Sequence, residues 1–328
     1  MIILYGKDRM KKKILITGFS GFVARNFIEY AINNWLDIEI YGIDIVRPEF
    51  SIEQYQERID IGFRILDLLD QEELKSYLTM ICPDYILHLA SFSSVAYSWK
   101  NPRLSFINNT NIFLNLVLSV YQLGLKSRIL SVGSSEEYGK YAKEDMPLQE
   151  EYPLHPNSPY AVARVSQEML SQIFAKDYGV DIILTRSFNH IGPWQDNRFV
   201  VASFIEKTLE IKRSGEKKGI IEVGDLDIVR DFVDVRDVVR AYWMLLCKGR
   251  GGEVYNICSG NGIKLESILV EIGNIVQVKV IGKSVKEYIR PDDNKIVIGS
   301  NKKIFNELGW KPEIELRKTL MDMVQELI

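Results

Sequence analysis

Near its start the chain runs Lys13-Ile-Leu-Ile-Thr17-Gly18-Phe-Ser-Gly21-Phe-Val-Ala24: an apolar run, a glycine turn and the opening of a helix. No other feature constrains the fold as strongly. Gly18 permits the sharp turn, Gly21 lets backbone N–H groups approach a pyrophosphate, and Ala24 is small enough for close helix packing. The new helix aims its positive end at the phosphates. The segment therefore predicts a dinucleotide site on Gly18, Ser20, Gly21, Phe22 and Val23.

Through the first half, short runs rich in Ile, Leu and Val recur between amphipathic stretches. Residues 13–17, 38–43, 63–66, 85–89, 128–132 and 182–185 read as strands, with helix-like sequence at 23–33 and 71–80. Near-continuous apolar strands alternating with helices predict a parallel sheet buried on both faces. Right-handed crossovers make this a Rossmann-type, doubly wound α/β sheet with ligands at the carboxyl ends of its strands. After Ser187 the rhythm breaks, and 189–198, rich in Gly, Pro, Asn and Trp, reads as a surface loop. At 328 residues the expected division is a dinucleotide-binding domain at 1–187, rejoined around 228–260, and a smaller mixed α/β substrate lobe at 188–328.

Charge narrows the partners. Forty-one Lys and Arg against 44 Asp and Glu leave a net charge of -3, which argues against nucleic acid or a membrane surface. No apolar run approaches the roughly 20 residues of a membrane span, and the first residues are too short a run for a signal peptide. Cys82, Cys247 and Cys258 are spaced for neither a disulfide framework nor a zinc site. They read as buried small hydrophobes in a reducing cytoplasm, and no metal is expected.

Asp44 closes the second strand, 26 positions after Gly18. A carboxylate there accepts hydrogen bonds from the adenosine ribose hydroxyls and repels a 2′-phosphate, which favours NAD over NADP, although Arg47 lies close by. Topology puts Asp67 and Leu68 near the adenine, and Leu89, Ala90 and Ser91 along the cofactor crevice; the serines of 91–94 read equally as a helix cap. Gly133-Ser134-Ser135-Glu136-Glu137-Tyr138-Gly139 follows the fifth strand, so its polar groups fall at the sheet's carboxyl edge. Further on, Ser158-Pro159-Tyr160 opens a helix in which Tyr160 and Arg164 share one face. A cation one turn from a phenol favours proton exchange with a substrate hydroxyl or carbonyl. Ser134 is placed to give the same oxygen a second hydrogen bond.

These segments resemble the extended short-chain dehydrogenase/reductases that modify nucleotide sugars, from Lys13 to Leu327. Within that family the chain is most similar to the GDP-4-keto-6-deoxy-D-mannose reductases and GDP-mannose 4,6-dehydratases. The later carriers are Arg186-Ser-Phe-Asn189-His190-Ile-Gly192-Pro193, Val223-Gly-Asp-Leu-Asp-Ile-Val-Arg230-Asp231-Phe232, and Arg290-Pro291 ahead of Ile298-Gly-Ser-Asn-Lys302. The resemblance implies that Tyr160 is the acid/base, with Ser134 its hydroxyl partner, Arg164 beside it, and Glu136 the C5 base of the dehydratases. It also implies that Asn189 orients the sugar, with Ser93 and Ser94 nearby, while Arg230 and Arg290 hold the diphosphate and nucleoside. Two departures stand out: the family pattern is Tyr-x-x-x-Lys where this chain has Arg164, and the GDP-mannose dehydratases usually carry Arg in place of Asp44 and prefer NADP.

The expectation is a cytoplasmic, NAD-dependent homodimer acting at C4 of a GDP-linked manno-configured hexose or heptose. It would work as a 4-dehydrogenase or a 4-keto-6-deoxymannose reductase, with Asp44 tilting slightly towards oxidation. The alternatives are a GDP-sugar 4,6-dehydratase or epimerase that keeps its NAD through the cycle, and a non-catalytic NAD-binding sensor.

Overall fold

A computed structural model describes residues 11–289 and 294–328. Its strands are Lys12–Thr17 (β1), Ile38–Asp44 (β2), Asp60–Ile65 (β3), Tyr85–His88 (β4), Arg128–Ser134 (β5) and Ile182–Ser187 (β6). They continue with Asn189–Ile191 (β7), Lys218–Val223 (β8), Val229–Asp234 (β9), Val254–Ile257 (β10), Gly262–Lys264 (β11), Lys279–Ser284 (β12) and Ile296–Val297 (β13). Seven form one sheet in the order β10-β6-β5-β4-β1-β2-β3, every pair parallel. The strand order reverses between β1 and β4, where such sheets open a crevice at their carboxyl edge. β9 pairs with β7, β11 and β13 in a smaller sheet, and β8 pairs with β12.

Strand alternation explains why this sheet is buried on both faces. In β1, Ile14 and Ile16 face one core cluster and Leu15 the other. Leu87, Leu130 and Ile183 join the first cluster, whereas Ile86, Ile129, Ile182 and Leu184 join the second. A third core gathers the helices Val200–Arg213, Leu265–Val276 and Leu316–Glu326 around β8 and β9. β3 begins three residues before the apolar run at 63–66, because it is an edge strand with exposed Asp60 and Arg64. The stretch after Ser187 is not all loop: residues 189–191 are β7, whose pairing partner could not be read locally.

The cysteines need a correction. Cys258 is buried, but Cys82 and Cys247 are exposed, all three as free thiols. Cys82 takes the left-handed cap position (φ 45°) after the helix Gln71–Ile81, so its side chain leaves the core. Among the described residues no helix is long and apolar enough to cross a membrane.

His88 ends β4 fully buried. Its Nδ1 pairs with Thr17 Oγ1 at 2.9 Å, and that hydroxyl accepts the Ala90 N–H at 3.2 Å. Nε2 is buried and has no hydrogen-bond partner among the described residues. Burial first, and the nearby Arg164 cation second, push the imidazole down to about 3. The folded state therefore stays neutral while the unfolded chain takes up a proton near pH 6.5, so stability falls as pH drops from there towards 3. At about 1.4 kcal/mol per pH unit, urea unfolding at pH 7 and pH 5 should show the parent losing about 2 kcal/mol more than His88→Asn. Equal losses would mean that the imidazole is not held neutral.

Candidate active site

The crevice is built around Gly18, whose φ is +70°. A methyl group there would sit 2.7 Å from the Ala90 nitrogen and 2.9 Å from the Leu89 carbonyl carbon. The turn after β1 thus lies directly on the backbone that follows β4, and Leu89 N–H donates to Thr17 O at 3.2 Å. Gly21 caps the helix Phe22–Asn33, is exposed, and is followed by no acidic residue in the first turn. An open helix N-terminus without a competing carboxylate fits a diphosphate. Ser20 lies in this turn, with Phe22 and Val23 beginning the helix.

Asp44 sits across the turn at the end of β2. Its Oδ2 accepts the Ser20 N–H at 2.9 Å, and its Oδ1 accepts the Ile45 N–H at 2.7 Å. Ser20 Oγ donates to Val46 O at 2.7 Å. Arg47 is exposed beyond this knot. Leu66 N–H reaches Asp44 O at 2.9 Å, which brings Asp67, exposed, and Leu68, buried, to the same edge. Leu89, Ala90 and Ser91 are partly buried there, Ser93 is exposed, and Ser94 caps the helix Val95–Lys100 by accepting the Tyr97 N–H at 3.1 Å.

Tyr160 and Arg164 come together on the helix Pro159–Lys176, which Ser158 caps by accepting the Ala161 N–H at 3.1 Å. They form a buried pair rather than a surface stack, with exposures of 5% and 4%. Arg164 Nε–H donates to the Tyr160 hydroxyl at 3.1 Å. Its Nη1 donates to Val132 O at 3.1 Å and to Gln167 Oε1 at 2.7 Å, while Gln167 holds Ser131 Oγ at 2.9 Å. The guanidinium is thereby pinned to the backbone of β5. Gln167 escaped the sequence reading; its spacing of three from Arg164 is the signal that was there to use.

Ser134, at the end of β5, caps the short turn Ser135–Tyr138, its Oγ accepting the Glu136 N–H at 3.2 Å. Glu136 is half-buried in that turn, which packs against the Tyr160 helix. On the small sheet Asn189 is exposed and in register with Phe232, while Arg230, two residues earlier on β9, is nearly buried and donates from Nη1 to Val229 O at 3.0 Å. Asp231 beside it went unread. It is fully buried and accepts Ser259 N–H and Oγ–H, Gly260 N–H and Gly299 N–H at 2.6–3.2 Å, tying three segments into one wall. Arg290 lies outside the described residues.

The loop after β7 packs against the glycine turn. Phe22 stacks on His190 with 5.7 Å between ring centroids, and the Arg25 guanidinium lies 3.9 Å from the Trp194 ring centroid. Trp194 holds a left-handed backbone (φ 66°) and donates from Nε1 to Glu326 on the C-terminal helix.

The family model described as GDP-mannose 4,6 dehydratase matches residues 15–323. GDP-6-deoxy-D-mannose reductase of Pseudomonas aeruginosa is 30% identical, with 97% of each chain covered. GDP-6-deoxy-D-talose 4-dehydrogenase of Aggregatibacter actinomycetemcomitans is 28% identical over 90% of this chain and 91% of its own. Among solved structures, RMD from Pseudomonas aeruginosa complexed with NADPH superposes with a TM-score of 0.79 at 29% identity, covering 96% of this chain and 98% of its own. With the strand-order reversal, the glycine turn and the Tyr160 helix all in one crevice, the chain belongs to the GDP-mannose 4,6-dehydratase family of extended short-chain dehydrogenase/reductases.

Proposed function

We propose that the protein is an NAD-dependent oxidoreductase acting at C4 of a GDP-linked, manno-configured hexose or heptose. It works as a 4-dehydrogenase or as a 4-keto-6-deoxymannose reductase. The observation that carries this reading is the Tyr160 hydroxyl held by the buried Arg164 at the carboxyl edge of the sheet. NAD held at the glycine turn would supply the hydride acceptor or donor for C4 of the sugar. Tyr160 gives or takes the proton on the C4 oxygen, and the Ser134 hydroxyl bonds the same oxygen. Charge developing on the phenol then meets a cation already desolvated and fixed in place. Asn189 orients the nucleotide sugar from the small sheet, Ser93 and Ser94 also bind it, and Arg230 and Arg290 supply cations for the diphosphate and nucleoside. Glu136, beside Ser134, favours a 4,6-dehydratase as the second reading.

Hydride transfer with GDP-linked 4-hydroxy or 4-keto sugars should exceed that with UDP- or dTDP-linked counterparts. Tyr160→Phe should lower the rate about 10²-fold or more while GDP still raises the melting temperature by mass action. Unchanged turnover would remove the phenol as catalyst. A parent protein that binds NAD but turns over none of these sugars is the sensor instead.

For the cofactor, the reading is NAD on Gly18, Ser20, Gly21, Phe22 and Val23, with Asp44 at the adenosine ribose and Asp67, Leu68, Leu89, Ala90 and Ser91 along the crevice. The Asp44 carboxylate would meet a 2′-phosphate with like charge. Calorimetric titration should show NADPH binding at least about 10-fold, or about 1.4 kcal/mol, more weakly than NADH. Equal or tighter NADPH binding would align this chain with the NADPH-bound Pseudomonas neighbour and make Arg47 the deciding residue.

We also infer a cytoplasmic homodimer; exposed free Cys82 and Cys247 fit a reducing compartment. Val162, Met169 and Ile173 are exposed on the Tyr160 helix, beside exposed Leu104 and Phe106 of the adjoining helix Pro102–Phe106. Apolar positions at 162, 169 and 173 repeat as a heptad seam does, which suits a symmetric copy of the same helix. Light scattering should find a dimer that Met169→Glu converts to monomer. A monomeric parent would end this reading.

A further inference from the structure

Behind the Ser134 turn lie two buried carboxyl groups, only one of which is paired with an arginine. Glu168, on the Tyr160 helix, takes a bidentate pair from Arg186 on β6, with Nε to Oε2 at 2.9 Å and Nη2 to Oε1 at 2.8 Å. Nη1 of Arg186 donates to Glu150 O at 3.0 Å, and no hydrogen bond runs from Arg186 to Glu137. Glu137 is fully buried. Its Oε1 accepts the Ser134 N–H at 2.6 Å, closing a capping box with the Ser134 hydroxyl. The backbone has made room for this group: a methyl on Gly133 would lie 2.4 Å from Glu137 Oε1.

The second oxygen is the informative one. Among the described residues no donor reaches the buried Glu137 Oε2, and the Glu168 carboxyl lines the same gap. The gap lined by Glu137, Glu168, Arg164, Gln167 and Thr185 is too narrow for a water molecule. Two ionised carboxylates in a dry gap repel and cannot hydrogen-bond to each other, which favours a proton on one of them. The charged groups facing Glu137 are Glu168 on the helix, Arg186 on β6, and Arg164 across the gap. Arg186 is committed to Glu168, whose carboxyl it holds below the ordinary range despite burial. Burial and the Glu168 charge push the Glu137 carboxyl well above that range.

We propose that Glu137 is a positioning residue for Ser134: as a neutral acid it donates its proton to Glu168 while its other oxygen holds the Ser134 N–H. The Glu168–Arg186 pair anchors the chain of bonds, and Ser134 hangs from its end. Ionising Glu137 would set a second buried negative charge beside Glu168, whose arginine is already committed to it, and loosen the turn that aims the Ser134 hydroxyl. This rests on the reading that Ser134 serves the reacting oxygen, so one arm of the test is independent of turnover.

In the infrared difference spectrum of parent minus Glu137→Gln near neutral pH, a protonated-carboxyl C=O stretch should belong to the parent. Its absence overturns the neutral acid whatever the reaction. Glu137→Gln keeps an acceptor for Ser134 and a donor for Glu168, so its kcat should stay within about 3-fold of the parent. Glu137→Leu should lower kcat about 10-fold with KM for both nucleotides unchanged, yet cost less than 2-fold in a Ser134→Ala background. Equal losses in the two backgrounds would make Glu137 merely structural and overturn the positioning role. If Glu137→Leu does not fold, a Glu137→Gln kcat more than 10-fold below the parent overturns it as well.

Discussion

At Gly18 two backbones approach so closely that no side chain fits between them. That contact welds the turn after β1 to the residues after β4, the neighbours between which the strand order reverses. The groups that could meet a ligand then collect at the carboxyl edge, because both faces are sealed by apolar helices. The glycine turn, the Asp44 knot, the Ser134 turn and the head of the Tyr160 helix lie along this edge for that reason. Their closeness follows from topology before any of them makes a specific bond.

Arg164 shows how that edge is tuned electrostatically. Its guanidinium is nearly buried, is held by Val132 O and Gln167, and touches Tyr160. On the far side it helps to keep His88 neutral. A lysine ammonium is a point donor on a flexible stem, whereas the planar fork is committed to several fixed acceptors at once. The cation at this position is therefore built into β5 as firmly as into its own helix. A chain with net charge of only -3 can still concentrate such charges where they matter.

Much of this was legible beforehand. Apolar runs marked five strands of the main sheet because those strands are buried on both sides, and the sixth, β3, was read late because an edge strand shows water one of its faces. The i, i+4 spacing put Tyr160 and Arg164 on one face, but no spacing says whether that face looks out or in. Here it looks in, and Gln167 with it. The role of Asp231 was hidden because its four donors come from Ser259, Gly260 and Gly299, far along the chain. Glu137 was in plain view within Gly133–Gly139, yet its partner Glu168 is supplied only by the fold. Long-range pairing of polar groups leaves no periodic trace.

Trp194 has a bearing on how separable the two ends of the crevice are. One side chain spans the glycine-turn helix through Arg25, its own loop after β7, and the C-terminal helix through Glu326. Its left-handed backbone is a conformation kept only where the surroundings enforce it. The halves of this molecule are accordingly poor candidates for modular exchange. A chimera that imported another relative's second half would have to bring a ring to cover Arg25, or leave its half-buried guanidinium with Phe50 alone to stack on.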